Sequence, residues 1–420
     1  MIPEAYHDIY NNTRGSTYTK SSSLYRAFPP PEASFSFTDP AKSKERRAIL
    51  NPLFSRRSIL KLEKVLQGRV DHFVARLLTH EGTFDMNKAI HSLTTDIITS
   101  YCFASSFNTV DHPEFRHPIS VVLRDGGFRS FWITKHFPFF HLLTRLPPWL
   151  AGRIIPGLVA YREKLVMPFQ RQVEKYMNDP ESLEQAEHDT IFHHLIAHRD
   201  KSGTPISKVA LVKEANIMIG AGQDTVANAC TVAVANSLRN PEIHKKLVQE
   251  LREAWPDRST EFGYAELEKL PYLTAFIKEA LRCSHGVVTP LPRVVPPGGA
   301  KIAGFDLPEG TIVATSCVFL HQNPEVFDNP TEFRPERWLQ PNAKELESRY
   351  LVAFSRGPRI CLGLNLAWAD LYLILGNMFR KLDITLCGSL QKDDYVEFKE
   401  IFVPHWTRED LPTRVTEFQV

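Results

Sequence analysis

From Lys42 to about Pro256, apolar residues return at intervals of three and four, as at Leu60, Val65, Leu66, Val70, Phe73, Val74, Leu77 and Leu78. This spacing predicts a run of amphipathic helices. Prolines at 113, 118, 138, 147, 148, 156 and 168 divide the run. The longest proline-free segment, Ser207 to Arg239, would be roughly 50 Å long as a helix. A helix that long and that apolar is predicted to cross the core. Further helices are predicted over Pro241 to Ala254 and Tyr272 to His285. The texture then changes to short Val, Ile, Thr and Phe runs between prolines and glycines, VVTPLPRVVPPGGAKIAGFDLPEGTIVATSCVF, which predict small β-sheets. A loop-rich stretch from His321 to Arg356 leads into one more predicted helix, Cys361 to Lys381, and the tail alternates again at EFKEIFVPHW. Residues 1–41, rich in Ser, Thr, Tyr and Pro and including Pro29, Pro30 and Pro31, show neither period and are expected to be loop-dominated. No repeat and no Gly/Ser linker divides the rest. The expectation is a loop-rich N-terminal segment (1–41) and one mostly α domain with small β-sheets (42–420).

Composition narrows the function classes. Fifty basic against 48 acidic residues give a net charge of +2, and 43% hydrophobic with 23% charged residues is the balance of a globular protein. These values exclude a disordered chain and a nucleic-acid-coating basic protein. The six cysteines, Cys102, Cys230, Cys283, Cys317, Cys361 and Cys387, lie too far apart for a zinc motif or a disulfide framework. The N-terminus is polar from its start, and the aromatic stretch Phe131 to Leu150 is broken by Lys135, His136, Arg145 and two prolines. No membrane anchor is therefore expected in this chain.

The sharpest chemical signal is the segment from Phe354 to Gly363, FSRGPRICLG, directly before an apolar helix. Each part has a task if Cys361 ligates a heme iron. Gly357 permits a tight turn, Arg359 can meet a heme propionate, Gly363 lets backbone approach the porphyrin, and Phe354 shields the sulfur. A thiolate near a helix start is favoured by free amides and the helix dipole. Further upstream, a glycine in mid-helix costs about 1 kcal/mol relative to alanine, so Gly222 in Ala221-Gly222-Gln223-Asp224-Thr225 needs a reason. The Thr225 hydroxyl can bond the carbonyl four residues back. Glu279 and Arg282, three apart, share one helix face.

These motifs, in this order, resemble the cytochrome P-450 superfamily of heme-thiolate monooxygenases over about nine-tenths of the chain. The resemblance implies one heme b held through its iron by Cys361, between the long helix at Ala221–Thr225 and the Cys loop. It implies that Ala221 and Gly222 leave room beside the iron, that Thr225 orients dioxygen and water, and that Asp224 is the acidic member of a proton relay. It implies a buried network of Glu279, Arg282 and Arg337, the last in the FRPERW segment, that locks the Cys loop. Arg293 and Arg47 match propionate-binding positions, although Ser43 stands where the family usually has Trp or His. Electrons are expected from NADPH through a reductase. A docking face is expected from Arg356, Arg359, Lys44, Arg46, Arg56 and Arg57. HSLTTDIITSYCF, LPPWL and LNLAWADLYL resemble filamentous-fungal secondary-metabolism members, including those similar to trichodiene oxygenase, so the expected substrate is an apolar terpenoid or polyketide. A monomer at the cytosolic face of the endoplasmic reticulum is implied, cytoplasmic if the chain is complete as given. The first family strands are not legible in 1–41, so an incomplete first sheet or a truncated form is expected. A non-catalytic heme-binding remnant and a heme-thiolate isomerase or dehydratase are the alternatives.

Overall fold

The computed structural model describes residues 2–11, 18–25, 28, 33–123, 135–136, 150, 153, 162–391 and 394–417. Pro29–Pro31, LPPW of LPPWL, most of the aromatic stretch and the prolines at 138, 147, 148 and 156 lie outside the described residues. We number the described α-helices of seven or more residues. They are α1 (Glu4–Tyr10), α2 (Pro40–Leu50), α3 (Glu63–Leu78), α4 (Met86–Phe103), α5 (Met167–Asn178), α6 (Ile191–Ala197), α7 (Lys208–Arg239), α8 (Pro241–Ala254), α9 (Pro271–Ser284) and α10 (Leu364–Lys381).

The core-crossing helix is α7. Ser207 caps it by accepting the Ala210 amide at 3.2 Å, and Asn240 with Pro241 ends it and begins α8. From Val226 to Ala235 every residue of α7 is buried, because α4, α9 and α10 all pack on it. Helix α4 is buried almost all round and crosses α7 antiparallel, with Ile98 against Gly222, His91 against Asp224 and Asn87 against Thr231.

Strands β1 (Thr19–Lys20), β3 (Arg293–Val294) and β6 (Ile312–Val313) form one antiparallel sheet. A second joins β2 (Phe84–Asp85), β10 (Pro412–Glu417) and β7 (Leu382–Leu386). Hairpins β4–β5 (Ala300–Ile302, Phe305–Leu307) and β8–β9 (Phe398–Ile401, Val403–Trp406) complete the strands. The N-terminal segment is more ordered than its missing period predicts. It supplies α1, and its β1 pairs Thr19 with Val294 and Lys20 with Arg293. Two strand residues are too few to show a period of two, which is why the sequence does not reveal them. Helix α10 begins at Leu364, three residues later than its pattern predicts, and leaves Cys361 in the preceding loop. Among the described residues no helix is long and apolar enough to cross a membrane.

Candidate active site

The Cys loop is closed by a hydrogen bond from the Cys361 amide to the Phe354 carbonyl, 2.9 Å. The Phe354 ring lies 6.2 Å from that of Trp368, on α10. Gly357 turns the loop at φ +69°, and a Cβ there would strike the carbonyl oxygen of Tyr10 in α1. Cys361 is exposed, yet many protein atoms crowd around its sulfur. Crowding pushes its thiol pKa up, and the Gly363 amide and Arg47 guanidinium oppose this. A coordinated metal deprotonates such a thiol outright. At Gly363 a Cβ would meet no protein atom within 4 Å, so the backbone there borders open space directly above the start of α10.

Four cations gather beside this loop. Arg293 is buried, donates to the Tyr25 hydroxyl at 3.0 Å and lies 5.1 Å over the Tyr10 ring. Arg359 reaches the Ser43 hydroxyl and, at 3.4 Å, the Asp39 carbonyl. The departure at Ser43 thus gives Arg359 an anchor on α2. Burial, then Arg293 and Arg47, bring the Arg359 guanidinium down to about 10, against Tyr25 and Asp39. The fourth cation, Lys20, was not legible in the sequence. Its ammonium donates to the Phe35 carbonyl at 2.6 Å between the Tyr25 and Phe35 rings, each 4.1 Å away. Burial, then Arg293, Arg359 and Arg47, hold it well below the usual lysine range. So many cations in mutual electrostatic reach call for anions. A lone thiol, a glycine cradle and a cationic rim fit a heme with two propionates.

In the middle of α7, Ala221 is exposed, and the Thr225 hydroxyl donates to its carbonyl at 2.7 Å. Gly222 serves the crossing of α7 with α4. A Cβ there would lie 2.6 Å from Ile98 of α4, so the missing side chain is what lets the two helices meet. Asp224 is buried and pairs with His91 Nε2 at 3.2 Å, a partner whose only sequence signal is a histidine in a largely apolar helix.

Glu279, Arg282 and Arg337 come together as expected. Arg282 Nε and Nη2 reach the Glu279 carboxylate at 2.9 and 2.8 Å, and Arg337 Nε reaches it at 2.9 Å. Trp338 Nε1 and the Arg334 amide donate to the same carboxylate at 2.9 and 2.8 Å. Burial alone would raise the Glu279 pKa, yet the two guanidiniums hold it below the carboxylate range. Arg282 also donates to the carbonyls of His321, Pro330 and Glu332. The donors beyond the single carboxylate find backbone carbonyls, the condition under which a buried network is tolerated.

The expected docking face needs correction. Arg46 is buried and paired with Glu214 at 2.9 Å, Arg56 is held by Glu268 and the Tyr264 hydroxyl, and Arg356 donates to the carbonyls of Glu347 and Leu351. Arg359 belongs to the cation cluster. Lys44 and Arg57 remain exposed, as does Arg56 within its salt bridge.

A cysteine loop before a core helix, a cationic rim and an acid–alcohol pair on the helix packed against it define a heme-thiolate oxidoreductase. The cytochrome P-450 family model matches residues 1–406. The chain is 34% identical over 410 residues to the cytochrome P-450 monooxygenase macH of Penicillium terrestre, covering 96% of this chain and 79% of that protein. It is 34% identical over 423 residues to flvC of Aspergillus flavus, covering 98% and 76%. It is 32% identical over 408 residues to claJ of Penicillium crustosum, covering 94% and 91%. The chain belongs to the cytochrome P-450 family. It is a heme-thiolate monooxygenase whose heme iron takes a cysteine thiolate.

Proposed function

We propose that this monooxygenase inserts one oxygen atom from dioxygen into an apolar small molecule of fungal secondary metabolism, a terpenoid or polyketide. Electrons come from NADPH through a flavoprotein reductase. The observation that carries the reading is the placement of Cys361 at the head of α10 and of Asp224 and Thr225 on α7, two helices that pack together.

Cys361 Sγ would hold the iron, and Arg47, Arg293, Arg359 and Lys20 would hold the propionates, with Ser43 steadying Arg359. When bound, the heme supplies dioxygen activation and oxygen-atom transfer. The Thr225 hydroxyl, held by the Ala221 carbonyl, orients dioxygen and passes on a proton, and Asp224 holds that proton ready. The Glu279–Arg282–Arg337 network fixes the loop from His321 to Glu332 that precedes the Cys segment and so retains the heme. The exposed Lys44 and Arg57 suit an acidic reductase surface. The chain acts as a monomer at the cytosolic face of the endoplasmic reticulum, with residues 42–420 as its catalytic domain.

Co-expression with a reductase under isotope-labelled dioxygen tests this reading. One labelled oxygen atom is expected in a terpenoid or polyketide product, dependent on NADPH. Conversion without a reductase and without label would instead identify an isomerase or dehydratase, and heme binding without any conversion a non-catalytic remnant.

A further inference from the structure

Asp224 does not stand alone beside Thr225. His91 turns its Nε2 to Asp224 Oδ1 at 3.2 Å and its Nδ1 to the backbone carbonyl of Asn87 at 2.8 Å. The two side chains are 10% and 6% exposed. A carbonyl oxygen only accepts, so Nδ1 carries a hydrogen. The other nitrogen faces a carboxylate oxygen, and that contact is a hydrogen bond only when a proton lies between them, as imidazolium or as carboxyl. A proton placed there would be shared between the two side chains. Burial favours this sharing, because an unpaired carboxylate at that depth would be costly.

The surrounding residues fix the geometry. The Thr95 hydroxyl donates to the His91 carbonyl at 2.7 Å, and Thr231 holds the Asn87 side chain at 3.1 Å. At the nearby crossing, the missing side chain of Gly222 leaves room for the Ile98 side chain and lets α4 pack close to α7. Thr225 follows Asp224 directly on α7.

Monooxygenation consumes two protons and two electrons per dioxygen, one oxygen atom entering the substrate and the other leaving as water. We propose that His91 and Asp224 are the internal store of one of these protons, an inference that rests on Thr225 and Asp224 handling protons for the heme site. His91 Nε2 passes the shared proton to the Asp224 carboxylate, which releases it toward Thr225. The pair is left as neutral His91, protonated on Nδ1, and a carboxylate, and solvent restores the proton before the next turnover.

His91→Gln keeps an amide donor to Asp224 but has no proton to give. With heme content and the reduced carbon-monoxide band intact, this variant is expected to form at least about three-fold less product per NADPH, the shortfall appearing as hydrogen peroxide. A second readout needs no turnover. In unfolding midpoints, His91→Gln and Asp224→Asn are each expected to lower stability, and the double variant to be no less stable than the weaker single one. Unchanged coupling in His91→Gln, or additive midpoints, would overturn the proton store alone. A wild-type protein lacking the thiolate-type band would overturn the site reading and this proposal with it.

Discussion

Asp370 lies on α10, nine positions after Cys361, with its Oδ1 buried and without a hydrogen-bond partner. Burial holds its carboxyl well above the usual range. A raised carboxyl binds its proton more tightly in the folded state. Its contribution is therefore fully present below the ordinary carboxylate pKa and is lost as pH rises through the raised one. Asp370→Asn, neutral at every pH, is expected to raise stability at neutral pH, read from a denaturant midpoint. An unchanged or lower midpoint would contradict that account of the site. At this scale the sequence was most informative where chemistry is rare. Cys361, Thr225 and the Glu279–Arg282–Arg337 set stand out because their residue types and spacings are uncommon together. Lys20 and His91 do not, since each acts through contacts 273 and 133 positions away along the chain, with Arg293 and Asp224.

Two glycines of one loop separate fold from cofactor at the level of elements. Gly357 has φ +69° and abuts the backbone of α1, so Gly357→Ala is expected to cost about 2–3 kcal/mol of stability and to loosen the Cys loop. Gly363 has φ −85° and no protein atom in the way of a Cβ. Gly363→Ala should therefore leave the heme-free protein within about 0.5 kcal/mol of wild type while lowering heme content on reconstitution. Equal heme content in wild type and Gly363→Ala would remove the cradle assigned to this residue. The long helices were legible because a period of 3.6 sustained over many turns is hard to mistake, and α7 and α8 begin within a residue of their predicted starts. The start of α10 was misplaced because an apolar run does not distinguish a loop residue that packs from a helical one. The two-residue strands were missed because pairing with distant partners, not local pattern, defines them.

For the molecule as a whole, acid should act through the buried histidines below the Cys loop. His321 Nε2 accepts the Val352 amide at 3.0 Å, which requires that nitrogen to be unprotonated. Burial, then His285 and Arg282, hold the His321 pKa well below its ordinary value, and burial, then Arg282, bring His285 down to about 3. Depressed histidines contribute stability that is full above about pH 6.5 and is lost as pH falls below it. The unfolding midpoint is expected to decline between about pH 7 and about pH 5, and His321→Gln, which accepts the same bond without titrating, to flatten the decline. A wild-type midpoint constant over that interval would contradict the assignment. On the outer surface, Lys44→Glu combined with Arg57→Glu is expected to slow reductase-supported turnover, with a deficit that shrinks at high ionic strength, and to spare peroxide-driven turnover. Equal loss in both assays would mean damage to the fold. The most direct test of the central claim is the carbon-monoxide difference spectrum of the reduced, heme-loaded protein beside its Cys361→Ser variant. The wild type is expected to show the red-shifted band of a thiolate-ligated ferrous heme and the variant to lack it, since a neutral hydroxyl cannot replace the anionic sulfur. The same band in both proteins would show that Cys361 is not the ligand.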